Sequence, residues 1–336
     1  MKAALVRAFG PIENVGYGDL PDPVPGPGEV VLALRAAEVN YPDILVAEGR
    51  YQVKPPLPFV PGKTAAGIVT AIGPGVAGIT PGMAVLAHLE YGAFAEQVRA
   101  PAAACCPIPE GLPMDSAAAL GLAAQTAWFA LRTRGGLEPG ESVLVLGGGG
   151  AVGAAAIQLA RALGAGRVFA TARGASIDRA RAMGADLVVD TARPDLAEAL
   201  RAEILAANGG QGVDLVVDSL GGEATQAALR SLGWCGRLMI IGFAGGAPPM
   251  LRAAYLLVKN IAAIGVHWSD YRDRKPETVR AAQREIFAHA LAGRLRVEIA
   301  ARLPLSRASE ALVRQRDGTP AGRILLVPEH GNSCIE

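Results

Sequence analysis

The stretch from Ser142 to Ala165, SVLVLGGGGAVGAAAIQLARALGA, joins a short apolar run to an alanine-rich amphipathic run through four consecutive glycines. Gly148, Gly150 and Gly153 satisfy GxGxxG, a weak pattern by itself that gains meaning from its place between a strand and a helix. Glycine is needed where the main chain must come close to a pyrophosphate, and the helix start beyond the turn offers N–H groups and a partial positive charge to the anion. The amides of Ala151 and Val152 belong to that helix start, and Gly153 lets the helix pack close to the strand. Four glycines in a row carry an entropy cost that an ordinary turn does not require. The segment therefore predicts a dinucleotide site.

Working outward, the downstream chain alternates apolar strands with helices. RVFAT at 167–171, DLVVD at 186–190, DLVVDSL at 214–220 and RLMIIGF at 237–243 read as strands, and helices are expected near 194–207 and 222–232. Such alternation predicts a parallel sheet covered on both faces. Upstream, residues 1 to about 120 carry short valine-bearing runs broken by Pro and Gly, as in PDPVPGPGEVVLAL at 21–34, which read as strands and tight turns. TVRAAQREIFAHALAGRL after Pro276 has helical apolar spacing and GRILLVP at 322–328 reads as a strand, so the C-terminal portion is expected to return to the first domain. The expected division is 1–122 with 267–336 in a β-rich domain and 123–266 in the dinucleotide domain. A chain of 336 residues suits two domains with a cleft.

An NAD site usually carries an acidic side chain about 20 residues beyond the glycine turn, where it holds the ribose hydroxyls. Here the second strand ends in Thr171, with Arg173 close behind, which predicts hydroxyl and guanidinium donors for a 2′-phosphate and a preference for NADPH. Two further strand ends, at Asp218 with Ser219 and at Gly242 with Phe243, are expected to border the same nucleotide. Phe243 is placed near the nicotinamide half and the acceptor, or in the core.

Bulk properties exclude several classes. With 32 basic against 31 acidic side chains and a net charge of +1, the chain offers no overall field for nucleic acid or anionic membrane. No run approaches the roughly 18 apolar residues of a membrane span, and MKAALVRAFG is not a secretory leader, so a cytoplasmic protein is expected. Cys105, Cys106, Cys235 and Cys334 lack paired CxxC spacing and read as reduced thiols. His88, His267, His289 and His330 show no metal spacing and read as surface or packing residues.

The order of parts, together with VNYPDILVAEGRY at 39–51, LPFVPGKTAAGIVTAIGPGV at 57–76, AAQTAWFAL at 123–131 and LLVKNIAAIGVHW at 256–268, resembles the medium-chain dehydrogenase/reductase superfamily. More narrowly it resembles the quinone oxidoreductase, or zeta-crystallin-like, branch. The resemblance implies a GroES-like catalytic domain beside a Rossmann doubly wound domain. Zinc-dependent members place metal ligands at positions that here hold Asn40, Lys63 and approximately Leu122, so the expected metal site is none. The resemblance further implies that Asn40 lies beside the nicotinamide, with Asn40 and Tyr51 as hydrogen-bond donors in catalysis. Tyr41, Tyr51, Lys63 and Phe243 would line the acceptor pocket, and Thr126 would sit near the nicotinamide carboxamide, unless it caps its helix. Asp43 reads as a structural acceptor, and Lys259 as a solvated lysine.

The activity so implied is metal-free hydride transfer from NADPH to a quinone. An activated C=C bond in an enal, enone or enoyl thioester is the alternative acceptor, and a crystallin-like NADPH-binding protein without turnover is the reading from another class. A homodimer formed through an edge strand within 261–268 is also implied, an open apolar edge being an aggregation hazard.

Overall fold

The computed structural model describes residues 1–318 and 322–329; His330 and Cys334 lie outside the described residues. The chain divides into two units, one of Met1–Leu122, Ser269–Leu291 and Val297–Glu336, the other of Ala123–Trp268 and Ala292–Arg296.

In the first unit a seven-stranded sheet runs in the order Ile299–Pro304, Arg323–Val327, Glu29–Glu38, Thr64–Ile72, Ala84–His88 and Cys105–Pro107, with Gln97–Pro101 also paired to Glu29–Glu38. The long Glu29–Glu38 strand pairs antiparallel with Thr64–Ile72 and with Arg323–Val327, so the C-terminal strand completes this sheet. Most of its residues are alanine or β-branched and branched aliphatics, which fit a pleated surface packed on both faces. Val30, Leu32, Leu34, Val69, Val85, Phe94, Leu305 and Ile324 pack into one core. This is the GroES-like half of the expected fold.

The second unit is a six-stranded sheet in the order Leu187–Asp190, Arg167–Ala172, Ser142–Leu146, Val213–Asp218, Leu232–Ile240 and Ala262–Gly265. Every pairing in it is parallel. The sequence-ordered strands therefore lie 3-2-1-4-5-6, the Rossmann arrangement, with its switch point beside the first strand. The central strands read SVLVL and VDLVVD and are almost wholly buried, as strands covered on both faces must be. The apolar segment 261–268 supplies only the four-residue strand Ala262–Gly265, which lies at the edge of the sheet.

Candidate functional site

In the second unit, the glycine turn follows directly from the end of the Ser142–Leu146 strand. Gly147 takes φ +74°, a left-handed conformation that side chains disfavour, and turns the chain toward the helix Ala151–Ala162. Gly148 N–H donates to the Thr171 carbonyl at 2.8 Å and Gly150 N–H to the Gly147 carbonyl at 3.0 Å. A Cβ at Gly148 would press on Ala170, Ile157 and Ala180, one at Gly149 on Ser176, and one at Gly153 on the Gly147 main chain. At Gly150 the nearest obstacle is the Gly147 carbonyl at 3.3 Å. Three glycines are thus demanded by the protein's own packing. Gly150, by contrast, opens outward at the helix start, where Val152 and Gly153 also lie in the first turn. This cradle fits a pyrophosphate.

Thr171 departs from its expected role. Its side chain is fully buried and its Oγ1 accepts the Gly147 N–H at 3.2 Å, so it shapes the turn and has no path to a 2′-phosphate. Arg173 is exposed just beyond the same strand. Arg179 donates to the Gly149 carbonyl at 2.9 Å, which braces the turn from the next helix.

At the neighbouring strand end, Asp218 is fully buried and its Oδ1 accepts the N–H groups of Leu220 and Gly221 at 2.9 and 3.0 Å. The Thr225 hydroxyl donates to its other oxygen. The sequence places this carboxylate at a strand end bordering the nucleotide; here it fixes the loop carrying Ser219, whose hydroxyl reaches the Leu146 carbonyl at 3.5 Å. Gly242 is partly buried, and Phe243 is 43% exposed, so it is not a core aromatic. Thr126 is buried within the helix Leu122–Trp128 and does not cap it. The Lys259 ammonium donates to the Leu232 carbonyl at 2.6 Å and to those of Leu229 and Arg230, so it closes the end of a helix and is not a simply solvated lysine.

In the first unit, Asn40 precedes the helix Tyr41–Ala47, and its N–H donates to Asp43 Oδ2 at 2.7 Å. The Asn40 side-chain amide donates to the Glu38 carbonyl at 3.2 Å. Asp43 thus holds the helix start, in the structural role its spacing implies. Burial pushes the Asp43 carboxyl up to about 7, against the opposing pull of Lys63 and of the Asn40 N–H. Glu38 is likewise pushed to about 7 by burial, with Arg323 opposing at 3.3 Å. Tyr41 is 39% exposed at the head of the same helix.

Lys63 is the main correction in this unit. It is 1% exposed, and its ammonium lies 2.5 Å from a Glu90 carboxylate oxygen, so it cannot meet an acceptor directly. Arg272 holds the other Glu90 oxygen at 2.8 Å and also binds Asp273 at 2.7 Å. The Lys63 ammonium sits 4.5 Å from the centroid of the Tyr51 ring, within cation–π range. Tyr51 is partly buried, and burial together with the Glu90 charge raises its pKa, with Ser269 and Arg272 opposing. Burial lowers the Lys63 pKa while Glu90 pulls the other way. Glu90, Arg272 and Ser269 escaped the sequence reading. The one local signal was an acidic residue, in LEYG, directly after an apolar strand.

The positions that would carry catalytic zinc in this architecture do not fit the metal. Lys63 brings an ammonium already bound to a carboxylate, and Asn40 brings a neutral carboxamide, one N–H of which donates to the Glu38 carbonyl. Among the described residues, no three His, Cys, Asp or Glu side chains gather to hold a metal ion. His88 is buried in packing, with Nε2 3.1 Å from Gln283 Oε1. Burial pushes the Cys105 and Cys106 thiols up to about 12, so both are protonated packing groups. No described helix is long and apolar enough to cross a membrane.

Comparison with known proteins agrees with the fold. The Alcohol dehydrogenase GroES-like domain family matches residues 26–110, and the Zinc-binding dehydrogenase family matches residues 151–284. Mouse quinone oxidoreductase-like protein 2 is 33% identical over 307 residues, spanning 91% of this chain and 86% of that protein. The structure of a mycobacterial quinone oxidoreductase superposes with a TM-score of 0.90 at 30% identity, covering 98% of this chain and 100% of that one. A mycobacterial protein complexed with NADPH superposes with a TM-score of 0.89 at 30% identity, with the same coverage. The chain belongs to the medium-chain dehydrogenase/reductase superfamily, in its quinone oxidoreductase-like group, and is an oxidoreductase with a dinucleotide-binding fold.

Proposed function

We propose that this chain is an NADPH-dependent, zinc-independent quinone oxidoreductase. The observation that carries the proposal is the Lys63 ammonium, paired to Glu90 at 2.5 Å where a zinc ligand would be required. A site with a fixed organic cation there has no Lewis acid to stabilise an alkoxide, and the chemistry open to it is reduction of an acceptor that is already electron-poor. NADPH is supported by the open glycine cradle, by an exposed Arg173 with no acidic side chain at the end of the second strand, and by the NADPH complex of a relative. Quinone as acceptor is supported by the names of the relatives.

When bound, NADPH supplies a hydride from nicotinamide C4 to the conjugated acceptor, and the displaced electron pair comes to rest on a carbonyl oxygen that then takes a proton. The chain's part is to hold and orient. Gly150 with the amides at Ala151, Val152 and Gly153 would take the pyrophosphate, and Arg173 the 2′-phosphate. Ser219, Gly242, Phe243 and Thr126 would border the nicotinamide half. Asn40 and Tyr51 would donate to the developing oxyanion, with Tyr41 beside the acceptor. Rate enhancement then comes chiefly from proximity of the two rings and from those donors. We further propose a cytoplasmic homodimer. Its support is the edge strand Ala262–Gly265, which among the described residues has a neighbouring strand on one side only.

The test is NADPH oxidation followed at steady state against 1,4-benzoquinone and a crotonyl thioester, with and without a chelator. Turnover favouring the quinone and indifferent to the chelator is expected. Preference for the crotonyl thioester would move the assignment to C=C reduction, and tight NADPH binding with no turnover would favour a non-catalytic role.

A further inference from the structure

We infer that Lys63 is a positioning residue for Tyr51, and that Glu90 and Arg272 form the clamp that seats it. The inference rests on the reading above, in which the Tyr51 hydroxyl donates to the acceptor. An almost fully buried lysine is rare, because its desolvation must be offset by a partner. Here the partner is specific. Glu90 divides its two oxygens between Lys63 at 2.5 Å and Arg272 at 2.8 Å, and the Lys63 ammonium also donates to the Glu90 main-chain carbonyl at 3.2 Å. Arg272 is itself 8% exposed and is tied on its other side to Asp273. The ammonium is therefore locked in place.

The charge of Lys63 also reaches beyond the clamp, lying 4.5 Å from the Tyr51 ring centroid. Tyr51 is thus held at its face by a fixed cation, a contact that orients the plane of the phenol. An apolar side chain at 63 could fill the same volume without holding the ring's electron-rich face. Lys63 touches no acceptor; it acts through Tyr51 and through the order it imposes on it.

The experiment compares Lys63→Met, Tyr51→Phe and the double variant in NADPH oxidation by 1,4-benzoquinone, alongside Lys63→Arg. Tyr51→Phe is expected to lower kcat by about tenfold, the worth of one hydrogen bond to a developing charge. Lys63→Met should lower kcat to a similar extent with Tyr51 present and by less than about twofold in the Tyr51→Phe background, because coupled residues are not additive. Lys63→Arg, which keeps the cation, should recover most of the rate. Independently of activity, fluorine NMR of protein labelled with 3-fluorotyrosine, with the Tyr51 signal identified from Tyr51→Phe, should show that signal shift and broaden in Lys63→Met.

An equal loss from Lys63→Met in both backgrounds, or an unmoved Tyr51 signal, overturns the inference. If Lys63→Met fails to fold, Lys63→Gln, which keeps a donor to Glu90 without the charge, is put through the same measurements and judged by the same outcomes. A full rate in Tyr51→Phe combined with a moved fluorine signal would instead refute the role of Tyr51 as donor and leave the clamp standing.

Discussion

His88 lies on the Ala84–His88 strand, fully buried, and its Nε2 donates to Gln283 Oε1, whose amide in turn donates to the Leu120 carbonyl at 3.2 Å. Burial lowers its pKa from 6.5 to about 4, with the Gln283 bond opposing. For a base with a depressed folded-state pKa, the unfolded chain binds the extra proton first, so stability is intact above about pH 6.5 and is lost as pH falls toward 4. Between pH 7.5 and pH 5 the loss amounts to about 2 kcal/mol. Glu38 and Asp43 act in the opposite sense: their carboxyls are raised to about 7, so each adds stability as pH falls through 7 toward its unfolded value. A single melt at each pH would mix these contributions. Comparing wild type with His88→Gln, which keeps a donor near Nε2 and cannot be protonated, cancels the carboxyls and isolates the histidine. Urea unfolding of the two proteins at pH 7.5 and 5.0, followed by hydrogen exchange of the strand and of the Pro276–Leu291 helix, measures the difference. The wild type should lose about 2 kcal/mol more than the variant over that interval. Equal losses, or a greater loss in the variant, would refute a buried neutral imidazole at this position.

Two further sets of substitutions probe the nucleotide cradle. Arg173→Ala should lower kcat/KM for NADPH by about tenfold, the low end for an exposed charge-assisted contact to phosphate, and leave NADH within about twofold; equal changes in steady-state assays would remove Arg173 from 2′-phosphate recognition. Gly153→Ala and Gly150→Ala should separate fold from ligand, because a Cβ at 153 collides with the Gly147 main chain whereas one at 150 meets only a carbonyl at 3.3 Å. In thermal melts and NADPH titrations, Gly153→Ala should destabilise by about 1–3 kcal/mol, while Gly150→Ala should keep its melting temperature and lose affinity.

The glycine turn and the strand–helix alternation were legible because both are written locally: a turn packed this closely between strand and helix admits only glycine at Gly148, Gly149 and Gly153, and buried parallel strands read as unbroken apolar runs. Thr171 was misread for a reason that periodicity alone cannot supply. Its position at the strand end is right, but its hydroxyl satisfies the Gly147 N–H of the adjacent strand's turn, a pairing between residues 24 apart in sequence. Lys63 was misread in the same way. Its partner Glu90 lies 27 residues on, and the Arg272 that seats Glu90 lies 182 residues beyond that, so nothing local distinguished a clamped lysine from one lining a pocket. Asp43 was legible as a structural acceptor because helix capping is local, with donor and acceptor three residues apart.

Metal-free reduction of a quinone, at the expense of NADPH in preference to NADH, is tested most directly by initial rates with 1,4-benzoquinone and each nucleotide in turn, on protein stripped by a chelator and checked for metal content. Full activity after chelation is expected, with a kcat/KM at least about tenfold higher for NADPH than for NADH. Activity that disappears with the metal and returns with added zinc, or an equal preference for the two nucleotides, would contradict it.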